Sequence, residues 1–128
     1  MPLNAKQKAE YIKDAPKIEP PLSNRVTDLS ATMQLCLREL GRKFAFKTVE
    51  CLRSIPRQKW LVAHGKSWTD KSRHILGLAA DLYPIPSGYG DPKVFVAMHN
   101  DWERIVKAHG RVPEKRIAND MTHFGINP

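Results

Sequence analysis

Apolar residues recur along this chain in two rhythms, and the changes of rhythm mark its elements. Asn4 to Asp14 reads as a short helix, ending before APKIEPP, whose three prolines make an extended connector. In TDLSATMQLCLRELG, Leu29, Met33, Leu37 and Leu40 fall at helical spacing with Cys36 beside them, and Gly41 suits the stop. FAFKTVECL, Phe44 to Leu52, is aromatic and β-branched with partial alternation, which predicts a strand. Pro56 can open a helix, and PRQKWLVAHG then runs to a glycine. A polar loop, KSWTDKS, leads into the apolar run SRHILGLAADLYP, Ser72 to Pro84. After the turn-rich PIPSGYGDP, Asp91 caps and Pro92 opens a helix that ends at Gly110. The irregular RVPEKRIAND approaches a last short strand, MTHFGI. Strands set among helices without βαβ alternation predict an α+β domain with a small, largely antiparallel sheet.

At 128 residues the chain has the size of one domain. Residues 1–43 form a helical N-terminal scaffold and 44–128 a core, with no separate binding domain expected. No apolar run approaches the roughly 18 residues of a membrane span, and the polar N-terminus has no secretory signal pattern. The net charge of +8 favours anionic partners, and nucleic acid, anionic lipid and a cell-wall polymer all qualify. The lysines and arginines are dispersed, with no block of like charge, so the charge reads as a general field rather than a nucleic-acid-binding tail. Cys36 and Cys51 lack CxxC spacing, which argues against a cysteine zinc site and for two buried thiols.

The run from Ser72 to Pro84 carries a histidine near one end and an aspartate near the other. In a regular strand His74 and Asp81, seven positions apart, lie on opposite faces. In a helix they share a face but stand about 10 Å apart along the axis. Two ligands of one zinc, each about 2 Å from the metal, must lie within about 4 Å of each other. Sharing a metal therefore needs a bend, and Gly77 lies between them. His74 is expected in or beside the loop, with the strand proper starting after Gly77. Asp120-Met-Thr-His123 places a carboxylate three residues before another histidine. If His123 completes a His-Asp-His set, a zinc keeps a fourth position for water, and Asp120 could serve as general base.

Ser72-x-His74-x-x-Gly77-x-Ala79-x-Asp81, followed by Asp120-x-x-His123-Phe124, resembles the zinc peptidases of the D-alanyl-D-alanine carboxypeptidase (VanY-like) superfamily. Within it the chain is most similar to the L-alanyl-D-glutamate endopeptidases used as phage endolysins. The upstream order Arg53-Ser54, Arg57-Gln58, Leu61 and Gly65 agrees, and the resemblance covers roughly Phe44 to Phe124. It implies a hedgehog/DD-peptidase-like α+β fold and one zinc per chain held by His74, Asp81 and His123. It implies Asp120 as catalytic base and Arg53 as the group that stabilises an oxyanion or holds a substrate carboxylate. Gln58 and Ser72 would bind substrate. The partner implied is bacterial peptidoglycan, reached in the periplasm by a monomer made in the host cytoplasm and released through a separate pore-forming protein. It implies neither nucleic acid nor membrane insertion.

Two other activities stay open on the sequence. A D-alanyl-D-alanine carboxypeptidase or dipeptidase would share the zinc chemistry, and a zinc-stabilised binding module would lack turnover. Asp120 and Arg53 speak against the module, because zinc stability needs no base. His64, without the motif around it, is a weaker metal candidate than His74. His99 and His109 read as surface or hydrogen-bonded residues. Of Trp60, Trp68 and Trp102, only Trp68 stands in a loop suited to touching substrate.

Overall fold

The computed structural model describes residues 2–128. Four helices, α1 (Ala5–Ile12), α2 (Ala31–Leu40), α3 (Ile55–Ala63) and α4 (Pro92–Ala108), surround strands β1 (Phe46–Glu50), β2 (Ala79–Pro84) and β3 (His123–Gly125). The strands form one antiparallel sheet in the order β1-β2-β3, so the domain is α+β as expected. Among the described residues no helix is long and apolar enough to cross a membrane.

Local chemistry explains where each helix starts. Asn4 and Ser30 accept hydrogen bonds from the backbone NH of Gln7 and Met33, and Ser54 and Asp91 do the same for Arg57 and Lys93. Pro56 and Pro92 sit in the first turn, where a missing NH costs nothing. The strand expected over Phe44 to Leu52 shrinks at both ends to Phe46–Glu50. Phe44 still closes the end of α2 through Leu40 O, and Cys51 leaves the ladder to bond Ser23 O at 2.7 Å. Leu29 lies ahead of α2 in a separate turn, although it is buried with the helix residues.

The core lies between one face of the sheet and the pair α2 and α4. Ala80 and Leu82 of β2 and Phe124 of β3 meet Met33, Leu37, Met98 and Trp102. On α4, Phe95, Met98, Trp102 and Ile105 recur at helical spacing and are all buried. Trp102 also donates from its indole to Gly125 O at 3.0 Å, pinning β3 to the helix. Alternation then sends Asp81 and His123, which pair directly across β2 and β3, to the opposite face. A bulge between Thr48 and Glu50 turns Glu50 to pair with Asp81, onto that same side.

The apolar run bends as its composition suggested. Arg73–Leu76 make a single 3-10 turn, Gly77 adopts the left-handed conformation at φ 69, and β2 begins two residues later. A Cβ at Gly77 would also fit tightly, 3.3 Å from Ser30 N. Its carbonyl accepts from Ser30 N at 3.0 Å, tying this bend to the start of α2. The N-terminal segment runs along α3. Lys59 reaches Asp14 at 2.8 Å, and Leu3 N bonds Trp68 O at 2.8 Å.

Gly77→Ala puts a methyl on a left-handed residue, a penalty of roughly 1–2 kcal/mol before the Ser30 contact is counted. Urea unfolding is expected to show a loss of at least that size; an unchanged midpoint would mean the bend tolerates a side chain.

Candidate metal centre

The bend brings His74 back over Asp81. His74 is almost fully buried at 2% exposure, and the chain leaving β1 grips it from both sides. Its Nδ1 lies 2.8 Å from Cys51 O, and its carbonyl accepts from Arg53 N at 3.0 Å. A carbonyl can only accept, so Nδ1 carries the hydrogen and Nε2 keeps a lone pair. That lone pair stands 3.3 Å from Asp81 Oδ1. From β3, His123 presents Nδ1 to the same oxygen at 3.5 Å, while its Nε2 lies 2.6 Å from Glu114 Oε1. The two histidines thus face Asp81 through opposite ring nitrogens.

Asp81 Oδ1 is buried and has no hydrogen-bond donor aligned on it. With Nδ1 of His74 and Nε2 of His123 both committed to other acceptors, Nε2 of His74, Nδ1 of His123 and Asp81 Oδ1 converge on one point. The donor atoms lie within 4.8 Å of one another. Such a cluster fits a divalent cation: two imidazoles and a carboxylate are a zinc donor set that leaves a fourth position open. The electrostatics agree. Burial would raise the Asp81 carboxyl, but the facing imidazoles of His123 and His74 hold it well below the usual carboxylate range. Burial would lower His123, yet Asp81 and Glu114 push it up to about 9. The cluster favours positive charge at the place where a metal would sit.

The cluster lies in an open cleft of about 300 Å³, at the lower end of small-ligand sites. Arg53, Ser72 and Asp120 line it together with Trp68. Asp120 has one carboxylate oxygen fixed by the Thr122 hydroxyl at 2.9 Å. Ser72 caps the 3-10 turn, accepting from His74 N at 3.3 Å, and its hydroxyl lies 3.4 Å from Arg53 Nη1. Gln58 lies behind this layer, at 0% exposure and outside the cleft lining. Its oxygen accepts from Arg53 Nη1 at 2.8 Å, and its nitrogen donates to Ser67 Oγ and Thr69 O at 2.9 and 2.6 Å. Gln58 therefore joins Arg53 to the loop that carries Trp68.

Arg53 is held from the other side by Glu50. Its Nη2 and Nε meet the two Glu50 oxygens at 2.8 and 3.2 Å, and Arg57 Nε joins them at 2.6 Å. Arg57 in turn reaches Pro20 O and Glu19 in the N-terminal connector, at 3.0 and 3.3 Å. Sequence reasoning missed Glu50 and Glu114. Glu50 leaves a trace, as an acid at the end of an apolar strand with arginines three and seven positions on. Glu114 leaves none, because it sits in irregular chain nine residues before His123.

The other candidates fall elsewhere. His64 stacks on Trp60 with ring centroids 4.0 Å apart, away from the metal cluster. His99 is buried against Phe124, with Nε2 2.8 Å from Met121 O, and His109 pairs with Glu39 at 2.9 Å. Trp60 and Trp102 are buried, whereas Trp68 is 54% exposed at the cleft. Both cysteines are buried and free, and burial pushes each thiol up to about 11.

No family model matches this chain, and no curated protein sequence does. Among solved structures, the L-Ala D-Glu endopeptidase ChiX of Serratia marcescens is similar in fold, with a TM-score of 0.61. The alignment has 24% identity and spans 99% of this chain and 90% of that one.

Glu50 is the buried anion between two arginines. Burial would raise its carboxyl, but the hydrogen bonds and charges of Arg53 and Arg57 outweigh this and lower it. Glu50→Gln is expected to cost about 3–5 kcal/mol at pH 7. Because the folded pKa is depressed, this stabilisation is present above the unfolded value of about 4.3 and fades as pH falls through the lower folded one. Urea midpoints of wild type and variant should differ widely at neutral pH and converge in acid; equal midpoints at neutral pH would remove Glu50 from this role.

Proposed function

We propose that the protein is a zinc-dependent peptidoglycan hydrolase that cleaves the L-alanyl-D-glutamate bond of stem peptides and serves as a phage endolysin. The observation that carries the reading is the convergence of three donor atoms from His74, Asp81 and His123. A carboxylate and a guanidinium that the metal does not need share their cleft. The likeness in fold to an L-Ala D-Glu endopeptidase supports the choice of bond.

A zinc ion held there would supply Lewis acidity, polarising a carbonyl and bringing the pKa of water from about 15.7 toward 7. Asp120 would take the proton from the attacking water and return it to the leaving amine. Arg53, locked in place by Glu50 and Gln58, would present its guanidinium to the oxyanion or to a substrate carboxylate. Trp68, exposed at the rim, offers an aromatic face to the peptide. The net charge of +8 would concentrate the enzyme on an anionic wall. In this reading a monomer suffices, and a separate pore-forming protein would admit it to the periplasm.

Mass spectrometry of Gram-negative sacculi digested with the protein tests the reading. Peptides beginning at D-glutamate should appear, with L-alanine left on the glycan. A chelator should abolish them and zinc restore them. Asp120→Asn should keep its zinc and lose the activity, and Arg53→Ala should lose at least about a hundredfold, the usual cost of an oxyanion donor. Release of terminal D-alanine alone would make the protein a carboxypeptidase. Intact sacculi after treatment with folded, zinc-loaded protein would leave a binding module.

A further inference from the structure

Neither Glu114 nor Gly125 has a part in the proposed chemistry, and these two residues meet beside His123. Glu114 Oε1 is 2.6 Å from His123 Nε2, on the far side of the ring from Asp81. It cannot share a metal with Asp81 from there, but it can decide which ring nitrogen bears the hydrogen. Backbone contacts hold the residue in place, since Glu114 N donates to Gly125 O at 3.0 Å and Pro113 bridges Ile126 just past β3. Its second oxygen lies 3.3 Å from Arg73 Nη1. Arg73 belongs to the same 3-10 turn as His74 and also donates to Asn127 Oδ1 at 2.9 Å. The segments bearing the two histidines are thus joined through this one carboxylate.

Gly125 explains how the carboxylate gets in. Its φ is not among the positive values in the chain, so its backbone does not call for glycine. Space does. A Cβ at 125 would overlap Glu114 Oε1, and it would stand 3.2 Å from Leu78 O. In β3, positions 123 and 125 point to the same face, so the missing side chain leaves its gap beside the His123 ring. Glycine within a strand commonly marks such a close approach.

We propose that Glu114 is the positioning residue of the metal centre, received in the gap at Gly125, where it fixes the hydrogen of His123 on Nε2 and so holds Nδ1 open toward Asp81. Without it His123 can carry its hydrogen on Nδ1, donate it to Asp81 Oδ1, and close the site on itself. A carboxylate behind a ligand histidine also raises the basicity of the ligating nitrogen. The inference rests on the reading of His74, Asp81 and His123 as metal ligands.

Zinc affinity, measured at one pH by competition with a chromophoric chelator, tests it without recourse to activity. Glu114→Ala is expected to weaken zinc binding roughly ten- to a hundredfold, the range for lost outer-layer partners. Glu114→Gln, whose carbonyl can still accept from Nε2, should fall between it and wild type. Gly125→Ala, which evicts the carboxylate while leaving Glu114 and Arg73 in the chain, should match Glu114→Ala. The double variant should bind no more weakly than the weaker single one, because both changes remove one contact. Circular dichroism of the metal-free proteins checks the fold, and Gly125→Ala carries the test if Glu114→Ala does not fold. Wild-type affinity in a folded Glu114→Ala protein, or losses that add in the double variant, overturn the role of Glu114 alone. A wild-type protein that binds no zinc overturns the metal centre and this role with it.

Discussion

The left-handed turn at Gly77 decides whether a metal centre can exist in this chain. Two residues seven apart along any regular element are too far from each other or face opposite ways. Here a 3-10 turn followed by one residue at φ 69 folds His74 back until its Nε2 stands 3.3 Å from Asp81 Oδ1. The turn is held at both ends. Gly77 O bonds the start of α2, and the chain leaving β1 clasps His74 through Cys51 O and Arg53 N. Asp81 and His123 need no such device, because antiparallel pairing of β2 and β3 sets them side by side. One bend and one register therefore assemble all three donors.

Around the donors the charges are arranged in layers. The inner layer favours a cation: Asp81 is held low, and His123 is pushed up to about 9. Outside it stand two carboxylates, each with an arginine. Glu50 fixes Arg53 and Arg57 on one flank, and Glu114 meets Arg73 on the other. These pairs are partly or fully buried, where an unpaired charge is expensive and geometry is correspondingly rigid. The chain as a whole carries +8, so a locally electron-rich site lies within a positive field. Under the proposed function, a metal and an anionic polymer would be drawn to the same protein by different parts of its charge.

Much of this was legible in the residues. Helical spacing and capping located α2 and α4, and the conflict between His74 and Asp81 pointed to a bend at Gly77, since no regular element reconciles them. The exposure of Trp68 followed from its polar loop. What stayed hidden depends on contacts between elements distant in sequence. The bulge at Val49 that turns Glu50 to the cleft side has no local signature. Glu114 comes from irregular chain and is placed by pairing with the end of β3. Gln58 is placed by a helix that buries it, so its amide holds Arg53 and the Trp68 loop instead of lining the cleft.

Function and fold meet in one proposed assignment: His74 Nε2, Asp81 Oδ1 and His123 Nδ1 would hold a single metal ion among them. Anomalous diffraction at the zinc edge, from crystals of protein purified without chelator, would decide it. A single strong peak is expected about 2.0–2.2 Å from each of those three atoms, with Glu114 remaining on the other nitrogen of His123. A peak ligated by other residues, or zinc bound through His123 Nε2 and Glu114, would refute the assignment.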